Sequence, residues 1–255
     1  MKKVLVMAAV SAAFLVVPFQ GAASGPQDAT CPQDTFVFTG TARDLIVPEG
    51  GGCDVLGATI TRDLILRPQA GAFAFETTIA RDVIVGTDSE IYVVETEIGH
   101  DLLGRTASKL RVEQATIGRD LVAQEPQTVQ TGHVAPETPG GPVRVGRDVL
   151  INGSPEGFPF VYDGICELTV GRDFTIARRA VTLGFGIGDN CARNGLEANT
   201  IGHDLIFRRN TAVSGGFLEV SDNVVGRDAI CEGNDPAPTI GSDAGPNVAG
   251  RRNTC

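Results

Sequence analysis

The 255-residue chain has no tryptophan, two tyrosines, three histidines and two methionines, and aromatic residues make up only 5% of it. Tryptophan and tyrosine are the rings that sugar platforms favour, so carbohydrate recognition starts at a disadvantage. Lysine is nearly missing too: after Lys2 and Lys3 the chain holds only Lys109. With 31 acidic against 21 basic residues the formal charge is −10, and residues 1–23 carry two lysines and no acid, so the remainder is more acidic still. A nucleic-acid surface needs a basic field, which excludes DNA and RNA as partners. Helical periodicity is absent: no stretch keeps a 3.6-residue apolar spacing over three turns, and 32 glycines and 14 prolines interrupt the chain too often. There is no metal-ligand spacing, no phosphate-cradling glycine loop, no nucleophile elbow and no paired Asp-Asp. The expectation is a non-enzymatic protein with no metal and no cofactor.

What is present begins with an export signal. Lys2 and Lys3 precede an apolar run from Val4 to Phe19, broken only by Ser11 and Pro18, and Gly21-Ala22-Ala23 supplies small residues for cleavage. This anatomy predicts a signal peptide over 1–23, cut near Ala23. The run is short for a bilayer core of ~30 Å. Cys31 follows Asp28, Ala29 and Thr30, which is not a lipid-attachment context, and Arg251 to Cys255 form no apolar tail. The mature chain is therefore expected to be secreted or held at the cell surface, with no membrane span.

Residues 24–255 carry a repeat. An aliphatic or Thr, a small residue, Arg or His, and then Asp recur nine times, at Asp44, Asp63, Asp82, Asp101, Asp120, Asp148, Asp173, Asp204 and Asp228. From Asp44 to Asp120 the spacing is 19 residues four times over; it then becomes 28, 25, 31 and 24. Counting Asp as position 1, position 2 is Leu45, Leu64, Val83 and Leu102, position 12 is Val55, Ala74, Val93 and Val112, and position 17 is Ile60, Ile79, Ile98 and Ile117. Short alternating β-branched runs such as 90–94 read as strands. A unit this small cannot bury its own apolar face, but units stacked ~4.8 Å apart can. The predicted fold is an all-β, single-domain parallel β-solenoid with rungs of about 19 residues and longer rungs in the C-terminal half. A left-handed helix of hexapeptide repeats would use 18-residue rungs and an apolar residue every six, which this chain does not show; right-handed winding is expected. One straight strand through Gly118-Arg119-Asp120 would point Arg119 into the core, so the chain must bend there. Asp is expected to accept backbone N–H bonds in that bend, Gly to tolerate its dihedrals, and Arg to neutralise the carboxylates above and below. A residue pair needed nine times is a structural corner before it is a catalytic or calcium site, and His100 and His203 simply occupy the Arg slot.

Six cysteines allow 15 pairings. Separations of 22, 25 and 24 residues, each near one local rung, select Cys31–Cys53, Cys166–Cys191 and Cys231–Cys255. Insertions after Asp120 give three loops, at about 124–142, 154–163 and 183–194, expected on one side of the rod. They hold the candidate binding residues: His133, then Phe158, Phe160, Tyr162 and Asp163 in the densest aromatic cluster, then Phe185. Those rings could equally cover the flank of the rod.

The segments Val225 to Pro238, Gly245-Pro246-Asn247 with Cys255, and Leu45 to Cys53 with Ala58-Thr59-Ile60 resemble the terminal rungs of small exported bacterial repeat proteins of unknown function. Taken with the repeat, the resemblance spans nearly the whole mature chain and implies a right-handed parallel β-helix with no established activity. The apolar-Gly-x-Asp-aliphatic unit is also similar to that of bactofilins, whose β-helices polymerise end to end. A signal peptide and disulfide-closed ends are departures from bactofilins. The leading expectation is a rigid exported scaffold whose loops contact envelope polysaccharide or another surface protein. A bactofilin-like structural polymer is the alternative, and a polysaccharide-active enzyme a lower one.

Overall fold

One rung shows how the sequence makes the fold. Leu64–Leu66 is a strand with its first and third side chains inside, Gly71–Phe75 a strand with the second and fourth inside, and Thr78–Ile79 a short strand with Ile79 inside. This period of two makes one face of each strand apolar. Three strands, three corners and a shared centre leave no room for a helix, and the computed structural model has none among its described residues, which are 25–32, 36–132, 141–154, 162–186, 199–213, 216–240 and 244–255.

Stacked rungs form three parallel sheets, here A, B and C, each of ten strands, and the chain is a parallel β-solenoid. Sheet A runs from Ala29–Thr30 through Leu64–Leu66 to Ala229–Glu232, sheet B from Val37–Phe38 through Gly71–Phe75 to Leu218–Ser221, and sheet C from Thr41–Ala42 through Thr78–Ile79 to Val248–Ala249. Register follows the repeat: Leu64 pairs Val83 and Val83 pairs Leu102, while Ile79 pairs Ile98 and Ile98 pairs Ile117. All the aliphatics expected inside at positions 2, 12 and 17 are buried in one continuous core.

The corners between sheets A and B and between B and C are each turned by one residue in the left-handed region. Gln69, Asp88 and Thr106 do this at the first, and Glu76, Glu95 and Gln114 at the second, with φ between 47° and 59°. The next residue points inward and stays small or bonds its own copy: Thr77 N donates to Thr96 Oγ1 at 3.3 Å, and Asn223 Nδ2 donates to Asn247 Oδ1 at 2.7 Å.

The third corner carries the repeated Asp, and it works between rungs. Asp63 N–H donates to Asp44 Oδ1 at 3.2 Å, Asp82 N–H to Asp63 Oδ1 at 3.2 Å, and so on to Asp228 N–H on Asp204 at 3.2 Å. Each Arg or His leans onto the Asp of the rung before it, as Arg62 does on Asp44 at 3.4 Å and Arg147 on Asp120 at 2.5 Å. The column is one longer than the nine Asp of the repeat: Asp28 takes Arg43 at 2.7 Å and is the corner Asp of the first rung. At the far end Arg252 stands in the Asp slot, its N–H donating to Asp228 Oδ1 at 3.2 Å.

Glycine at this corner differs from expectation. Gly99, Gly118, Gly146, Gly171, Gly202, Gly226 and Gly250 do not take positive φ. What they supply is space, because a Cβ on Gly146 would fall far inside van der Waals contact with the Gly118 carbonyl oxygen, and the others repeat that relation. The earlier rungs carry Ala42, Thr61 and Ala80 in this slot, so the requirement starts at Gly99.

Two of the expected disulfides are present, on different geometries. Cys231 and Cys255 are in-register neighbours with Cα atoms 4.9 Å apart, following the pairing of Ala229 with Asn253. Cys31 and Cys53, 6.0 Å apart, are not in register: Cys31 follows Ala29–Thr30 of sheet A, Cys53 lies in sheet B, and both are buried, so the bond crosses the core. Cys191, the expected partner of Cys166, lies outside the described residues, as does the 1–23 segment.

The loop expected over 124–142 is partly strand. Thr128–Thr131 continues sheet B, with Val129 and Thr131 buried, because Val129 and Thr131 keep the apolar-in period that proline content obscures. Likewise Tyr162–Ile165 and Ala180–Gly186 are sheet B strands that overlap the other two predicted loops. In chain order the extra residues fall before or after strands of sheet B, where the chain passes between it and sheets A and C.

Two outcomes are expected. Gly146→Ala should destabilise by about 1–3 kcal/mol through backbone overcrowding, read as a lower urea midpoint, whereas Ala80→Gly should have a small effect; equal midpoints for Gly146→Ala and wild type would refute the steric role. Acid should weaken the corner column. Burial works against ionisation of Asp120, but hydrogen bonds from Arg147 and the Asp148 N–H prevail and hold its carboxyl below 3.8; at Asp28 and Asp228 the bonds from Arg43 and Arg251 do the same. A depressed native pKa contributes stability that is present above the unfolded value of 3.8 and is lost as pH falls through the lower native value. Melting followed by circular dichroism should drop in midpoint below about pH 4, and Asp120→Asn should flatten that dependence.

Candidate functional site

The residues singled out from the sequence do not assemble into one site. His133, Phe158 and Phe160 lie outside the described residues. Tyr162 pairs in register with Thr182, and the Phe185 backbone pairs with Ile165 and Val220.

Asp163 was expected on a binding loop and is instead in the interior. Its strand places it in the inward column of sheet B, in line with Ile91, Leu110 and Val129. Both Asp163 and Arg179 have fully buried side chains, 2.8 Å apart. Arg179 occupies the inward slot of the A–B corner that Ala70, Ser89 and Asn210 fill in other rungs, and its guanidinium also donates to Gly153 O at 2.7 Å and Pro126 O at 2.5 Å. Asp163 Oδ1 accepts the Val129 N–H at 2.8 Å. Burial pushes the Asp163 carboxyl up, against the pull of Arg179 and Val129. The pair ties together the corners of three rungs and is closed to any ligand.

A different surface has the makings of a site. Outward positions of sheet B from the second to the fifth rung stack in register as Asp54, Phe73, Tyr92 and Arg111, beside a second column of Gly52, Gly71, Glu90 and Lys109. Because Gly52 and Gly71 have no side chains, the two columns enclose a solvent-open hollow of about 420 Å³ floored by backbone. That is a ligand-sized volume. Phe73 and Tyr92 have ring centroids 5.3 Å apart, inclined at 43°, and Phe75 stacks beside Phe73 at 6.1 Å.

Arg111 fixes the far wall. Its guanidinium carbon lies 4.4 Å from the Tyr92 ring centre, a cation–π contact, and its Nε donates to Glu113 Oε1 at 2.6 Å. Glu113 Oε2 in turn accepts the Tyr92 hydroxyl at 2.9 Å. Burial, then the Glu113 carboxylate, push the Tyr92 phenol above its ordinary 10.0. Tyr92, Arg111 and Glu113 thus hold one another in place. Asp54, Glu90 and Lys109 make no ion pair among the described residues, and these three free polar ends rim the hollow.

Sequence reading passed over this face. The signal was available at position 11 of the unit, where Asp54, Phe73, Tyr92 and Arg111 align, but outward positions vary in type and so carry no period. Comparison with family models, with curated proteins and with solved structures finds no match to this chain. No group of three or more His, Cys, Asp or Glu able to hold a metal occurs among the described residues.

Removing one partner of the interior pair isolates its role. Asp163→Ala should cost about 3–5 kcal/mol, because it leaves the Arg179 charge buried without its carboxylate. The double variant Asp163→Leu, Arg179→Met should cost less than Asp163→Ala alone, measured by chemical denaturation; a single variant as stable as wild type would contradict this assignment.

Proposed function

We propose that this chain is an exported, non-enzymatic scaffold: a rigid, disulfide-closed rod that acts at the cell surface or beyond by presenting its outer faces to envelope polysaccharide or to another surface protein. The observation that carries this reading is how the chain spends its ionisable groups. From Asp44 to Asp204 each column Asp accepts the N–H of the Asp in the following rung and faces an Arg or His, and the interior pair of Asp163 and Arg179 is wholly engaged in tying rungs. Repetition along ten rungs is the signature of support, and the groups left free lie on an outer face. Disulfides at both ends suit an oxidising compartment, as the signal-like 1–23 segment does.

A second reading, a self-assembling polymer of the bactofilin type, draws on apolar residues at the two ends. Val248 of the last sheet C strand is 62% exposed and Phe36, beside the first sheet B strand, 50%. Against it, the corner column ends in Arg252, which offers no carboxylate to the N–H of another copy. Prolines also sit in the end rungs, at Pro26, Pro32, Pro236, Pro238 and Pro246, where they remove donors from open edges.

Sedimentation velocity on the oxidised protein separates the readings. A rod of ten rungs is about 45 Å long, and it should sediment as an elongated monomer independent of concentration. Concentration-dependent growth into large species would overturn the capped scaffold and favour the polymer.

A further inference from the structure

The hollow on sheet B is more specific than a scaffold requires. Its walls are the Phe73 and Tyr92 rings, and its rim holds two free carboxylates, Asp54 and Glu90, and one free ammonium, Lys109. An apolar surface flanked by both acceptors and donors matches a sugar ring, whose C–H face packs on an aromatic ring while its edge hydroxyls both donate and accept. Charge narrows the class. A polyanion would meet Asp54 and Glu90 on a chain of net charge −10, and a polycation would meet Lys109. The ligand that leaves none of these groups opposed is uncharged and rich in hydroxyls.

Shape adds a second restriction. The hollow is open rather than enclosed, and Phe73 and Tyr92 belong to successive rungs, so the platform runs along the rod axis. A polymer lying along the rod uses such a surface; a small zwitterion would need walls on all sides to lose its water. Preorganisation favours binding as well, because Arg111 and Glu113 already hold Tyr92 and little side-chain freedom remains to be lost.

We infer that the hollow formed by Asp54, Gly71, Phe73, Glu90, Tyr92 and Lys109 is a binding site for an uncharged glycan chain lying along the rod. The inference rests on the reading of the chain as a surface scaffold and names the partner for it. Phe73 is the stacking platform, Asp54 and Glu90 accept from sugar hydroxyls, and Lys109 donates to them. Gly71, without a side chain, leaves room beneath the Glu90 carboxylate, whose Oε1 lies 3.7 Å from where a Gly71 Cβ would stand.

The test is an NMR titration of the oxidised protein with chitohexaose, cellohexaose and maltohexaose, and with polygalacturonate and phosphocholine as charged comparators. At least one neutral hexaose should shift the backbone amides of Gly52, Gly71 and Phe73. Phe73→Ala should weaken that binding about tenfold, the loss of one aromatic contact. Gly71→Ala is the second variant: its Cβ would lie an ordinary 3.6 Å from Glu90 Cγ, so it fills the floor without strain. It should leave the melting temperature unchanged and lower affinity severalfold. No shift with any of the three hexaoses, binding that survives both variants, or a response to polygalacturonate or phosphocholine alone would each overturn the inference. Sedimentation of the same sample keeps the two ideas apart: a monomeric rod that ignores all three sugars loses the glycan site and keeps the scaffold, whereas a filament loses the scaffold.

Discussion

Each rung lies about 4.8 Å above a near copy of itself, so whatever a residue presents to one neighbour it must be able to meet on the other. Leucine on leucine satisfies this automatically, and the interior columns are accordingly aliphatic. Aspartate on aspartate does not, since it stacks like charges. The structure resolves this by letting each carboxylate accept the N–H of the next Asp, with an Arg laid across it. At some corners the guanidinium grips the carboxylate twice. Arg43 and Arg147 each use Nε and Nη2 together on one carboxylate, a planar fork that an ammonium cannot reproduce. Eight of the ten corner slots from Arg43 to Arg251 are Arg and two are His.

Departures from repetition have to be compensated by residues that are not copies. Where the spacing breaks after Asp120, an acid enters the inward column at Asp163 and a base enters a small-residue slot at Arg179. Neither could be stacked on its own kind in the core. Together they satisfy each other and three rungs' worth of corner groups. Slipping one irregular strand past its neighbour would strand both charges, so the pair also fixes register where the 19-residue period no longer does. Asn199, Asn223 and Asn247 do comparable work in the last rungs, because an amide carries both donor and acceptor and can ladder indefinitely.

This explains which parts of the molecule could be read in advance. Interior and corner positions repeat because stacking demands it, so the solenoid, its aliphatic columns and the pairing of Cys231 with Cys255 were legible from spacing; Cys31 and Cys53 pair as expected, but between sheets A and B and not within one column. Asp28 was not, because the first rung is shorter than 19 residues and lacks the Arg-Asp pair. The glycine column was legible as a pattern, yet its cause was not: crowding by the carbonyl of the rung before is invisible without the stack. Asp163 was misread because aromatic residues upstream suggested a surface loop, whereas its partner Arg179 lies 16 residues away and meets it only across two rungs.

Outward columns are released from the stacking rule, and that freedom is where individuality in this chain can reside. Between the second and fifth rungs sheet B spends it on Asp54, Phe73, Tyr92 and Arg111, four unlike side chains at one position of the unit. They stand on the most regular rungs, where backbone pairing on both sides holds each Cα in place. A loop could offer the same chemistry only by paying an ordering cost at the moment of contact. Regularity below and variety above are thus two halves of one arrangement: the corner column and the paired strands fix the backbone, and the unlike side chains of sheet B stand on it.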